Sequence, residues 1–212
     1  MILVSRLKLV LPRCINKSQS DFILGWKISD NILIEQELMR GYHLDSGVLR
    51  CAFKVDLFKA FDSVRWEFLW DALELIGFPT IFSSWVKRCV TTSMYSVNIN
   101  GSLHGYIPGK KGLRQGDPHS PFIFVIFMEI FSRILESFIA NCRSFKFHWR
   151  CGKNIISHLW FSDDMFLFSY GDVDSVSVLR KALDLFSSLS GLSINLSKSL
   201  MFSAGGTTEE KG

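Results

Sequence analysis

Apolar positions along the chain change period several times, and each change predicts an element. Between Asp30 and Met39 the residues Ile32, Leu33, Leu38 and Met39 predict a short helix opened by Asp30 and closed near Gly41. Residues 51–58 read as a buried strand. Trp66, Leu69, Trp70, Leu73 and Ile76 then recur at helical spacing, so a helix is predicted from Val64, with Asp62 or Ser63 as cap and Gly77 and Pro79 as stop. A second helix over 81–90 leads to Tyr95-Ser-Val-Asn-Ile-Asn-Gly, which alternates faces and reaches Asn100-Gly101, a favoured pair for a tight hairpin turn. Ser120-Pro121 opens a strongly apolar helix towards Ile139, because the missing proline N–H would be unpaired in a first turn anyway. Two apolar strands, 155–160 and 165–168, flank Phe161-Ser162-Asp163-Asp164. A last helix over 173–189 presents Val176, Leu179, Leu183 and Phe186 before Gly191 stops it.

Composition narrows this picture only a little. With 212 residues, 48% of them hydrophobic, the chain has enough apolar surface for one sizeable core and too little for two. A net charge of +4 permits a polyanionic partner without requiring one. Five cysteines, Cys14, Cys51, Cys89, Cys142 and Cys151, stand apart without a Cys-x-x-Cys pair, which argues against a disulfide framework or a zinc site. The longest apolar run, 122–128, is far shorter than the roughly 20 residues that span a bilayer. Residues 1–8 alternate charge with apolar residues too early for a signal peptide, and no small-residue cleavage site follows, so a soluble intracellular protein with no membrane partner is expected, its nuclear or cytoplasmic location left open. Only residues 204–212 have the composition of a flexible tail.

Candidate chemistry lies in three carboxylates. Asp163 and Asp164 sit between two apolar strands, where adjacent ionised carboxylates repel unless a cation lies with them. Asp56 belongs to a third apolar run, in which a lone acid is costly. Neighbouring strands in one sheet would bring all three to one edge, as hard oxygen ligands suited to magnesium. Read singly, Asp163-Asp164 fits ordinary turn chemistry equally well, and Asp56 fits a salt bridge to Lys54 or Lys59.

Four segments, in order, resemble the reverse transcriptases of non-LTR retrotransposons, of the LINE-like type found in plants. Phe53-Lys-Val-Asp56-Leu-Phe-Lys-Ala-Phe61-Asp62 resembles the first palm motif of that family, Gly112-Leu-Arg-Gln115-Gly116-Asp117-Pro118-His119-Ser120-Pro121 the second, Phe161-Ser162-Asp163-Asp164 the third, and residues 190–199 the fourth. Weaker similarity continues upstream through Leu11-Pro12, Gln19, Phe22, Gly25 and residues 30–33. Three positions depart from the pattern: Ser162 replaces a common alanine, His119 an apolar residue and Trp26 an arginine.

The resemblance implies an α+β fold, a right-hand polymerase palm whose antiparallel sheet is backed by helices. Residues 1–50 would be partial fingers and the finger-to-palm segment, residues 51–203 the palm with inserted finger-like helices and hairpin, and residues 204–212 a tail, with little or no thumb, as in a truncated copy. It further implies an RNA-directed DNA polymerase that extends a DNA primer on an RNA template with deoxynucleoside triphosphates, using two Mg2+ ions or Mn2+ as substitute. By the same resemblance Asp56, Asp163 and Asp164 are the metal-binding catalytic carboxylates, and Lys198 stands near departing pyrophosphate. Phe61 guards the sugar 2′ position, while Gln115 and Gly116 approach the template base pair. An inactive retroelement remnant that binds nucleic acid nonspecifically and a metal-dependent phosphodiesterase are the alternative readings.

Overall fold

A computed structural model describes residues 2–44, 46–151, 155–161 and 164–206. Its organising element is strand β1 (Arg50–Phe58), which is paired along both edges. One edge takes β5 (Asp164–Tyr170), which in turn pairs with β4 (His158–Phe161). The other edge takes β7 (Leu200–Ala204) along residues 50–54 and the two-residue β6 (Ser193–Ile194) at Leu57 and Phe58. All pairings between these strands are antiparallel, as expected for the palm sheet.

Successive side chains of a strand point to opposite faces, so β1 and β5 each contribute to two cores. Val55, Leu57, Met165 and Leu167 join the larger one with α4 (Trp66–Ile76), α6 (Ser120–Asn141) and α7 (Val173–Ser190). The antiparallel sheet is thus backed by helices, as the palm resemblance implies. Ala52 and Phe168, with Leu159 and Cys151, pack on the opposite face against Leu38 of α2 (Ile28–Met39). Helix α6 is buried without a break from Phe122 to Ser132, the pattern of a helix surrounded by protein. Asp172 caps α7 by accepting the Ser175 amide at 2.7 Å, and Gly77 and Gly191 close α4 and α7 in left-handed geometry.

Several boundaries differ from the sequence expectation. The helix expected from Val64 begins at Trp66, as α4, with Arg65 rather than Asp62 or Ser63 at its cap position, and a separate single turn, α3 (Ala60–Ser63), precedes it. Helix α2 begins before Asp30, with Lys27 at the cap position. The first strand of the third motif begins only at His158, since Ile155 has a left-handed φ of +51° that ends any extended run there. Helix α1 (Ile2–Cys14) had not been expected; Val4, Leu7 and Leu11 bury its one apolar stripe. Strand β7 was likewise unexpected, and it carries regular pairing to Ala204, where a tail had been expected to start. Between α4 and α6 lie α5 (Thr80–Thr91) and the hairpin of β2 (Met94–Ile99) and β3 (Ser102–Pro108), turned at Asn100-Gly101 as predicted.

Candidate metal and nucleotide site

Antiparallel register decides which carboxylates meet. Asp56 and Asp164 are direct Cα partners at the end of the β1–β5 ladder, so their side chains leave the same face of the sheet. Asp163 and Ser162 lie outside the described residues. Among the described residues no group of three His, Cys, Asp or Glu side chains is gathered closely enough to hold a metal ion. The cation beside the described pair is Lys54, whose Nζ is 2.8 Å from Asp164 Oδ2. The salt bridge that Asp56 alone could have made to Lys54 is therefore made by Asp164. Asp56 and Asp164 set two hard oxygen donors on adjacent strands, the donor type that could bind a divalent cation.

The fourth motif is fastened to the first through the Asp56 backbone. Asn195 N–H donates to Asp56 O at 2.8 Å, and Asp56 N–H donates to Ser199 Oγ at 3.1 Å. Ser199 is held in turn by the Asn195 carbonyl, which accepts both its amide and its hydroxyl at 2.9 Å. Lys198 occupies this same turn, exposed and one residue from the Asp56 clamp. Sequence reasoning named Lys198 but missed Asn195 and Ser199 as the residues that fix the turn; their contacts depend on a register that spacing alone does not give.

The second motif docks on the chain just after the first. Gly112 N–H donates to Val64 O and Leu113 N–H to Phe61 O, both at 2.7 Å, while Trp66 Nε1 donates to Gly112 O at 2.8 Å. Gln115 lies over the same segment, its Nε2 at 3.4 Å from Asp62 Oδ1. Gly116 has φ +83°, and a Cβ built there would meet nothing within 4 Å, whereas Phe61 is half-buried with its ring stacked on Phe124 at 4.6 Å. His119 pairs with Asp117: Asp117 Oδ1 accepts the His119 amide at 2.9 Å and lies 2.8 Å from Nδ1. Burial pushes the Asp117 carboxyl up, but these bonds and the Arg114 charge outweigh it and hold the group below its usual range. His119 thus finds its partner within its own loop.

This arrangement, an antiparallel sheet backed by helices with acids at the β1–β5 end, defines a polymerase palm-like fold. The family model described as reverse transcriptase (RNA-dependent DNA polymerase) matches residues 1–210, and the chain belongs to that family. Among curated proteins it is 29% identical over 217 aligned residues to the Pol polyprotein of the type-2 retrotransposable element R2DM of Drosophila melanogaster, covering 99% of this chain and 20% of that protein. It is 27% identical to an uncharacterized 149 kDa protein of transposon TX1 of Xenopus laevis, covering 92% of this chain and 14% of that protein. A telomerase structure from Candida albicans aligns over 98% of this chain and 34% of that one, at 14% identity and a TM-score of 0.65, a likeness of fold. The chain therefore spans about a fifth of the first of these curated relatives. Among the described residues no helix is long and apolar enough to cross a membrane.

Proposed function

We propose that this chain is the palm-centred part of an RNA-directed DNA polymerase that extends a DNA primer along an RNA template from deoxynucleoside triphosphates. The observation that carries the reading is the register of β1 and β5, which sets Asp56 directly opposite Asp164 at one end of the sheet. In the reaction the primer 3′-oxygen bonds to the α-phosphorus while the bond to the pyrophosphate oxygen breaks in line. Asp56 and Asp163 would hold two magnesium ions with Asp164 beside them, and such ions supply charge stabilisation at the attacking and leaving oxygens.

The remaining roles belong to the chain's own side chains. Phe61, half-buried and stacked on Phe124, excludes a 2′-hydroxyl from the sugar by bulk. Gly116, whose surroundings are open, lets a base pair approach the backbone, and Gln115 beside it hydrogen-bonds at the template. Lys198, held in the turn clamped to Asp56, supplies charge to the departing pyrophosphate.

Primer extension on an RNA template with magnesium tests this reading. Incorporation of deoxynucleotides is expected from the wild-type chain and falls to background in Asp56→Ala and Asp163→Ala variants that retain the wild-type circular dichroism spectrum. Equal incorporation by wild type and both variants rejects the assignment.

A further inference from the structure

We propose that Lys54 is a positioning residue of this metal site: its ammonium holds the Asp164 carboxylate and competes there with an incoming divalent cation. The proposal rests on the reading of Asp56, Asp163 and Asp164 as metal-binding groups. Lys54 stands two residues before Asp56 on β1, so both side chains leave the same face. It lies diagonally across the ladder from Asp164, a separation that a long side chain spans, and the resulting Nζ to Oδ2 distance is 2.8 Å. The lysine backbone is confined between strands, with Phe166 of β5 and Leu200 of β7 as its two Cα partners. Both ends of the ion pair are about one-third exposed, so the pair is neither dissolved in bulk water nor sealed from ions.

A second acid senses the same charge. Burial raises the pKa of Glu35, on the α2 side of the sheet, and the Lys54 charge partly offsets that rise. One ammonium therefore balances acids from two elements at the end of the sheet where Asp56 and Asp164 meet. A divalent ion arriving there must either repel that ammonium or take an oxygen from it, and both lower the ion's affinity for the free protein. Negative phosphates arriving with the ion offset the repulsion. Lys54 in this way ties tight metal binding to the presence of nucleotide.

Manganese binding to the full chain without nucleotide, followed by the electron paramagnetic resonance of the free ion, tests the proposal without relying on catalysis. Lys54→Met is expected to lower the Kd for manganese roughly twofold to fivefold, the range set by a partly exposed ion pair. Lys54→Arg should keep the wild-type value. Lys54→Gln is the second neutral variant, used if thermal melting shows Lys54→Met to be unfolded. A neutral variant that folds and binds manganese no more tightly than wild type overturns the role of Lys54. If Asp56→Asn weakens binding in that same experiment, the metal-site reading survives the loss. If neither wild type nor the neutral variants bind manganese, both fall together. Binding by a neutral variant alone supports the proposal in its strongest form.

Discussion

Gly112 shows how tightly single residues bind the second motif to the first. Its φ is +84°, and a Cβ built there would lie 2.8 Å from the Asp62 carbonyl oxygen and 3.1 Å from Asp62 Cα. Backbone atoms on both sides are held by the Gly112–Val64 and Leu113–Phe61 hydrogen bonds, so the contact is not relieved by turning a side chain. Gly112→Ala combines left-handed strain with a backbone clash, and a loss of about 1–3 kcal/mol is expected in urea unfolding. Gly116→Ala meets the same φ with nothing within 4 Å. It should cost less in the same measurement, about 1 kcal/mol, and a larger loss at Gly116 than at Gly112 would overturn this ranking.

Among elements, the loop entering β1 depends on one buried arginine. Arg50 donates through Nη1 to the carbonyls of Ser46 and Val48 at 3.2 and 2.9 Å, and through Nη2 to those of Gly41 and Leu44 at 2.6 and 3.1 Å. Its guanidinium also lies over the Tyr42 ring, 5.2 Å from the centroid. A lysine has a single ammonium and cannot reproduce this planar fork. Arg50→Lys should destabilise the chain by about 2 kcal/mol, the order expected when buried carbonyls lose charged donors. Limited proteolysis should then cut first between residues 41 and 49; unchanged stability and cleavage would rule out the clasp. The single side chain gathering the carbonyls of this segment is visible only once the loop has closed.

The same distinction explains which elements were legible. Helix α6 could be read because it is apolar around its circumference and opens with Pro121, and the β2–β3 turn because Asn100-Gly101 marks it. Helix α1 was missed because Arg6, Lys8 and Arg13 interrupt a narrow stripe of Val4, Leu7 and Leu11. Strand β7 exposes Leu200 and Met201 and is defined by backbone pairing to β1, which leaves little trace in side-chain pattern. At the site, the motifs revealed Asp56 and Asp164 as candidates. The partners of each required the register: Lys54 with Asp164, and Asn195 and Ser199 with the Asp56 backbone.

Over the whole molecule, two buried histidines on the sheet and its flank set the expected response to acid. Burial pushes His158 down to about 4, its ring held between the hydroxyls of Ser132 at 2.8 Å and Ser157 at 3.1 Å. Burial, reinforced by the charges of Arg150 and Arg50, pushes His148 down to about 4 as well. Both rings are neutral in the folded chain at pH values where the unfolded chain, with an ordinary histidine value of 6.5, takes up protons. The histidine contribution is therefore fully present above pH 6.5 and is lost as pH falls towards 4, at a limiting slope of about 1.4 kcal/mol per pH unit for each ring. Glu129 acts in the opposite sense. Burial raises its carboxyl above 4.5 despite bonds from the Asn16 amide and Arg133, so the folded chain retains that proton longer as pH rises. A wild-type pH profile contains both effects, and His158→Gln separates them by removing one titrating ring. Urea unfolding from pH 7 to pH 4.5 should show a fall in stability for wild type that is smaller in His158→Gln by roughly 2 kcal/mol. Parallel profiles for the two proteins would show that His158 takes up its proton equally in the folded and unfolded chains.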